Sequence, residues 1–273
     1  MSEVDAQKLL AELDTSVAHP ARRYNYWLGG TDNFPADRAS GDAIAGVFPT
    51  IRTAVIENRR FQRRAVSFLA GEVGLRQFLD IGTGIPTADN THLVAQAVDP
   101  SCRVVYVDND PIVLAHSRAL LTSSPEGATA YLDADIREPD SILSDPELLG
   151  TLDLTRPVGL MVVAVLHFLK DSDDPYAAIA RLVEAMPSGS YLTVTHATND
   201  YLSPETAAAV DDTDRDQVPF QFRSREQFAG FLDGLELVEP GIVSVAEWRA
   251  EAEQPPRPSA EETSVYGAVA RIP

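Results

Sequence analysis

Apolar and polar positions follow two rhythms along the chain, and the change falls near Gln77. Before it, apolar residues recur at helical spacing. Ile51, Val55, Phe61, Ala65 and Phe68–Leu69 form one stripe, which predicts a helix over Pro49–Gly71. Pro35–Gly46 reads the same way. Ala21–Leu28 reads as a short helix stopped by Gly29 and Gly30, since glycine commonly follows a helix C-terminus. Residues 1–18 read as a polar, weakly helical leader. From Gln77 onward, short and nearly continuous apolar runs take over, at 77–82, 103–108, 128–133, 158–165 and 190–195, with Leu235–Val238 and Val265–Arg271 closing the series. Helical stretches lie between them at Asn90–Val98, Pro111–Leu121 and Asp174–Met186, with Asp110 as an N-cap before Pro111. Strands that are apolar throughout suit a parallel sheet buried on both faces. The strand–helix alternation predicts an α/β fold with a doubly wound, mostly parallel, seven-stranded sheet. The two rhythms divide the chain into a helical N-terminal lobe or lid, 1–72, and a sheet domain, 73–273. Glu251–Glu262, with Pro255, Pro256 and Pro258, reads as a surface loop.

Composition narrows the class of protein. Hydrophobic residues make up 44% and charged residues 23% of the 273, the balance of a soluble globular chain. No apolar run approaches the roughly 18 residues of a membrane span, so no membrane partner is expected. The N-terminus, acidic and without an apolar stretch, does not read as a signal peptide. Cys102 is the only cysteine and cannot form an internal disulfide; these features together point to the cytoplasm. The net charge of −19 works against a nucleic-acid partner, which needs a basic footprint. Arg59, Arg60, Arg63 and Arg64 form the one concentrated basic segment, either a solvated helix face or a local site for an anionic group. A single cysteine and histidines without close spacing argue against a metal site. The oligomeric state stays open, a homodimer among the options.

The candidate chemistry centres on Asp80-Ile81-Gly82-Thr83-Gly84, where the first strand ends and the chain turns towards a helix. Glycines let a ligand approach the backbone closely, and ligands of Rossmann-like sheets bind at the carboxyl ends of the strands. Gly82, Thr83 and Gly84 should therefore floor a cofactor pocket. A dinucleotide fingerprint would place glycine where Thr87 stands, and an apolar residue where Asp80 stands. S-adenosylmethionine carries a cationic amino group that a strand-end carboxylate suits. Asp108, 28 residues after Asp80, ends the second strand beside Asn109 and can accept hydrogen bonds from ribose hydroxyls. Asp135 follows the third strand and can accept from an adenine amino group, with Ile136 packing near the ring.

With these residues in place, the order of motifs resembles class I S-adenosylmethionine-dependent methyltransferases. More narrowly, the chain resembles the actinobacterial S-adenosyl methyltransferase family that was first catalogued as a domain of unknown function. The match is carried by Arg23–Phe34 with Ala36-Asp37-Arg38, by Phe78–Thr87, by Asn90-Thr91-His92 and by Tyr106–His116. The resemblance implies a methyltransferase-like fold, S-adenosylmethionine as cofactor and an acceptor that the family does not specify. One departure from the wider pattern is Pro86, where a third glycine is usual. Proline has no N–H to offer, and the Thr87 hydroxyl is the expected replacement.

Two further groups of residues are candidates. Extra N-terminal helices commonly cover the cleft of this fold. Tyr26 and Trp27 could close over the ligand, while Asn25, Asp32 and Asn33 could bond its polar groups. The alternative is that the aromatics pack in the core and Asp32 and Asn33 serve a turn. Methyl transfer needs mainly an aligned nucleophile, and a general base only where the acceptor must lose a proton. His167 and His196, after the fourth and fifth strands, are the candidate bases, and Ala164 at the fourth strand end is placed beside the cofactor. His92 reads as structural. The expected function is methyl transfer to a small-molecule acceptor at oxygen or nitrogen. The alternatives are a protein that binds S-adenosylmethionine or its product without turnover, and an NAD-dependent oxidoreductase.

Overall fold

The computed structural model describes residues 14–86, 89–113, 122–214 and 218–273. Three helices precede the sheet: α1 (Pro20–Trp27), α2 (Pro35–Val47) and α3 (Ile51–Phe68), the last running into a π-helical turn at Leu69–Val73. Then come β1 (Gln77–Ile81), α4 (Thr91–Val98), β2 (Arg103–Asp108) and β3 (Ala128–Asp133). The chain continues through α5 (Pro139–Leu143), α6 (Pro146–Thr151), β4 (Gly159–Val162), α7 (Pro175–Glu184) and β5 (Tyr191–Ala197). It ends with α8 (Pro204–Asp214), α9 (Arg225–Ala229), β6 (Glu236–Leu237), β7 (Val243–Ser244), α10 (Ala260–Thr263) and β8 (Val265–Arg271). Of the helix predicted at Pro111–Leu121, residues 111–113 are described and helical, with Asp110 Oδ1 accepting from the Ile112 amide at 2.9 Å. Residues 114–121 lie outside the described residues.

The sheet has eight strands rather than the seven expected, in the order β3-β2-β1-β4-β5-β8-β6, with β7 also paired to β8. β7 is only two residues long, too short to leave a period in the sequence. The first five strands are parallel and β8 runs antiparallel to β5. The chain leaves β1 towards β2 and β3, then returns to place β4 and β5 on the other side. This reversal between β1 and β4 makes the crevice where such sheets bind ligands. The apolar run 158–165 is strand only to Val162; Ala164 already has a left-handed backbone, φ 59°.

Alternation along the strands sorts the core into two layers. Leu79, Ile81, Val105, Val107, Leu160 and Val162 face one way, against Ile142 of α5, Leu148 of α6 and Ile179 and Leu182 of α7. Phe78, Val104, Tyr106 and Met161 face the other way, against Phe61, Ala65 and Leu69 of α3 and its π turn, Ala95 of α4 and Trp248. Asp80 belongs by register to this second face, since it pairs with Tyr106 and Met161. The front half of α3 enters a third cluster instead. There Ala54 and Val55 meet Trp27 of α1, Ile44 of α2 and Val210 of α8, with Phe220 and Phe222 packed alongside. Among the described residues no helix is long and apolar enough to cross a membrane.

Candidate functional site

The carboxyl ends of β1, β2 and β3 open on one cavity of about 430 Å³, within the usual size of small-molecule sites. Asp80, Gly82, Thr83, Gly84, Asp108, Asn109, Asp135, Ile136 and Ala164 all line it. Thr87 lies outside the described residues. The bend itself depends on glycine. Gly82 and Gly84 have φ of 72° and 65°, in the left-handed region that a Cβ disfavours. A Cβ on Gly82 would sit 2.0 Å from Val165 Cγ2, whereas one on Gly84 would meet nothing within 4 Å. Gly82 thus lets the bend pack against the turn after β4, and Gly84 borders the open space. The Thr83 hydroxyl turns back, donating to Asp80 O at 3.2 Å.

The three acids are held differently. Asp80 is buried; its Oδ2 accepts from Thr91 Oγ1 of α4 at 2.5 Å and from Gln62 Nε2 of α3 at 3.3 Å. Burial raises its pKa to about 6, with the Thr91 hydrogen bond and Arg59 pulling it down and Asp108 pushing it up. Asp108 has both oxygens occupied by backbone: Oδ2 accepts from the Gly84 amide at 2.8 Å and Oδ1 from the Asp110 amide at 2.9 Å. Burial raises its pKa as well, against those two amides. Asp135 is more open. It accepts from Arg137 Nε at 3.0 Å and from Asn109 Nδ2 at 3.0 Å, and the Arg137 hydrogen bond keeps its pKa low.

Helix faces complete the wall, and sequence reasoning missed most of them. Ala21, Tyr24, Asn25 and Leu28 of and after α1 line the cavity, as do Asn58, Arg59 and Gln62 of α3. Both sets follow the i, i+3, i+4 spacing of one helix face; applying that spacing to 21–28 would have chosen Tyr24 over Tyr26. The arginine cluster divides by the same geometry. Arg59 reaches the cavity, Arg60 pairs with Glu57, and Arg64 binds the Trp248 carbonyl at 2.8 Å.

Tyr26, Asp32 and Asn33 do not line the cavity, contrary to expectation. One residue on from Asn25, Tyr26 points a third of a turn away; its hydroxyl donates to Asp42 Oδ1 at 2.6 Å and Arg52 sits 5.4 Å over its ring. The Asp32 amide and Asn33 Nδ2 donate to Asn25 Oδ1, at 3.1 and 2.9 Å. These two residues brace Asn25 within a turn. The lobe is fastened above the cavity by a buried network. His19 Nδ1 lies 2.9 Å from Asp110 Oδ2, and Arg22 Nε lies 3.8 Å from the same oxygen and 3.6 Å from Asp37 Oδ1.

The two histidines part ways. His196 is fully buried and lines neither this cavity nor the smaller one beside it. Its Nε2 is 2.8 Å from Arg223 Nη1, which can only donate, so Nδ1–H donates to Ala197 O at 2.7 Å. No lone pair is left for a base, and burial lowers its pKa to about 3. Arg223 also donates to Leu166 O and Leu169 O, both at 3.1 Å, and so fixes the turn that carries His167. His167 borders a second, smaller cavity of about 90 Å³ that shares Tyr24, Asn58, Ala164 and Phe168 with the first. Burial, then the neighbouring His196, hold its pKa well below the usual histidine value.

The residues present suit S-adenosylmethionine. Asp80 is a buried carboxylate with two neutral hydrogen-bond donors and a raised pKa, the condition of an acid awaiting a cation. Asp108 is anchored by two amides and so presents a fixed acceptor to hydroxyls. Ile85 and Ile136 add apolar surface to the lining, which suits a flat ring.

Comparison with known proteins agrees with this chemistry. The profile of a family described as S-adenosyl methyltransferase matches residues 6–273. A crystal structure of a DUF574 family protein from Streptomyces avermitilis MA-4680 is 48% identical, over 95% of this chain and 99% of that one, with a TM-score of 0.89. A candidate methyltransferase from Thermobifida fusca YX is 38% identical over 99% of both chains, with a TM-score of 0.87. Human N-acetylserotonin methyltransferase in complex with SAM shares the fold at 14% identity, over 97% of this chain and 64% of that one, with a TM-score of 0.50. Among curated proteins none matches. The matches do not favour the oxidoreductase alternative or binding without turnover.

Proposed function

The chain belongs to the S-adenosyl methyltransferase family, an S-adenosylmethionine-dependent enzyme by that membership, and from this premise we propose that it methylates a small-molecule acceptor at oxygen or nitrogen. The observation that carries the reading is the meeting of Asp80, Asp108 and Asp135 around one cavity beside the glycine bend. In this reading Asp80 holds the ammonium of the cofactor and Arg59 its carboxylate. Asp108 accepts from the ribose, and Asp135 and Ile136 border the adenine. When bound, S-adenosylmethionine would supply an electrophilic methyl group for an acceptor lone pair. The chain's own residues orient the acceptor and exclude water. The lobe docked through His19, Arg22 and Asp110 roofs the cavity, and a dry site strengthens every electrostatic contact within it.

The test is calorimetry with S-adenosylmethionine, S-adenosylhomocysteine and NAD, followed by a screen for S-adenosylhomocysteine release against pools of small hydroxylated and aminated compounds. Binding of both adenosyl ligands, none of NAD, and release with at least one pool is the expected result. Binding of NAD alone, or tight S-adenosylmethionine binding with no release from any pool, would overturn the reading.

A further inference from the structure

The second cavity has a composition unlike the first. Trp27, Ile44, Phe48, Val210, Phe220 and Phe222 form its far wall; among the described residues no carboxylate lines it, and one cation does, the buried Arg23, which donates to Ser40 Oγ at 3.2 Å with its guanidinium 5.0 Å over the Trp27 ring. Two of its other polar side chains hold a buried atom without a hydrogen-bond partner, Asn58 at the mouth shared with the first cavity and His167 beside that mouth. Asn58 is 3% exposed; its Nδ2 donates to Tyr24 Oη at 3.0 Å, but Oδ1 has no hydrogen-bond partner. His167 is 9% exposed and its Nδ1 has none either. Buried polar atoms rarely stay unpaired, and each such atom costs stability unless a ligand or water meets it. An amide oxygen can only accept. A neutral imidazole has one nitrogen that accepts, and the charged form of His167 is disfavoured by burial and by the neighbouring His196. Asn58 Oδ1 therefore asks for a hydrogen-bond donor, and His167 Nδ1 pairs with a donor or an acceptor according to its tautomer. About 90 Å³ is smaller than the roughly 150 Å³ of an apolar cavity that holds benzene. The occupant is therefore at most one small ring, and a ring enters only with its polar end left in the shared mouth.

We infer that this second cavity is the acceptor subsite, and that it takes a small, uncharged, ring-sized molecule whose O–H or N–H points at Asn58 Oδ1 and His167. The inference rests on the methyltransferase reading of the first cavity and adds the acceptor's class to it. An acceptor with a carboxylate in that place would leave Asn58 Oδ1 facing another acceptor, and the Arg23 guanidinium of the same wall is already held by Ser40 and Trp27, so the subsite favours donors at Asn58. Fused or long ring systems exceed its space.

The experiment uses the full-length protein, free and saturated with S-adenosylhomocysteine, and follows 4-fluorophenol and 4-fluorobenzoate by fluorine NMR. We expect 4-fluorophenol to bind the loaded protein with a Kd of about 1 mM or tighter, and 4-fluorobenzoate about tenfold more weakly or worse. Binding of 4-fluorophenol should move the imidazole resonances of His167 and leave those of His19 in place. Ala54→Phe, which fills the far end beside Val55, should weaken 4-fluorophenol about tenfold and leave S-adenosylhomocysteine affinity within about twofold. No binding of 4-fluorophenol, equal binding of the benzoate, or unmoved His167 resonances would each overturn the inference, whether or not the variant folds. Failure of the wild type to bind S-adenosylhomocysteine would instead remove the methyltransferase reading, and 4-fluorophenol on the free protein would still judge the second cavity.

Discussion

The two cavities share a wall and are built by opposite means. The larger one is made at strand tips, where sheet register delivers Asp80 and Asp108 and backbone amides hold the latter. The smaller one is made largely by side chains from α1, α2, α3, α8 and the Phe220–Phe222 stretch, which pack over the turn after β4 and the ends of β5 and β8. The first is the more polar of the two, with its acids tied to backbone and neighbouring side chains; the second is almost wholly apolar and as exact as its packing. A site that must hold a charged, hydroxylated cofactor belongs on the rigid sheet. A pocket that must suit one acceptor can be set by a few bulky side chains and changed without disturbing the sheet.

The largest expected effect tests the rigidity of the strand-tip side. Gly82→Val places a β-branched residue at φ 72° with its Cβ 2.0 Å from Val165 Cγ2. It should cost about 4 kcal/mol or more, read as a steep fall in Tm. Gly84→Ala, with open space at its Cβ, should cost only the left-handed backbone, about 1–2 kcal/mol. Equal losses at the two positions would show that the Val165 contact does not matter.

Next comes Asp108→Ala, expected to weaken S-adenosylmethionine by about 1.5–3 kcal/mol in a titration, with 4-fluorophenol binding to the free protein unchanged. Equal damage to both ligands would erase the distinction between the cavities.

Asp80 offers a test with two signs. Its folded pKa of about 6 stands above the ordinary aspartate value of 3.8. A raised carboxyl adds stability below the unfolded value and loses it as pH rises through about 6, so at pH 7.5 the ionised acid is a burden on the free protein. Asp80→Asn should therefore stabilise the free protein by about 2 kcal/mol at pH 7.5 and almost not at all at pH 4, while weakening S-adenosylmethionine. In the wild type, affinity for the cofactor should rise as pH passes upward through about 6 and then level off, since the cation needs the ionised acid. A flat pH profile, or a destabilised Asp80→Asn, would show that Asp80 is not waiting for a positive partner.

The smallest effect is reserved for Tyr26→Phe. Losing its hydroxyl contact with Asp42 should cost under about 1 kcal/mol and leave cofactor affinity unchanged. A marked loss of affinity would return Tyr26 to the cofactor site.

How much of this was legible follows from how far apart the cooperating residues stand. Asp80, Gly82, Gly84, Asp108 and Asp135 could be read because each sits at the end of an apolar run, and parallel register brings neighbouring strand ends together without further information. Asn58, Arg59 and Gln62 were legible in principle, by their spacing on α3, but nothing local says which face of α3 looks at the sheet. Tyr26 was chosen for its chemistry, and the helix turned it away. His196 and His167 look alike in sequence, each following an apolar strand. Arg223, 27 residues beyond one and 56 beyond the other, fills the former's second nitrogen and leaves the latter with an empty one.

By itself, then, the chain's order of apolar runs and bends indicated a mostly parallel sheet and the acids at its tips, because these depend on side-chain alternation and on neighbours a few residues away, whereas the switch between β1 and β4 is decided by the strand order of the folded sheet. Tertiary structure alone decided the roof of the cavity, the inertness of His196 and the apolar chamber beside His167. Each of those joins segments separated by tens to nearly two hundred residues, as Trp27 and Phe222 are, and their meeting is fixed by how the helices pack and by no pattern within any one of them.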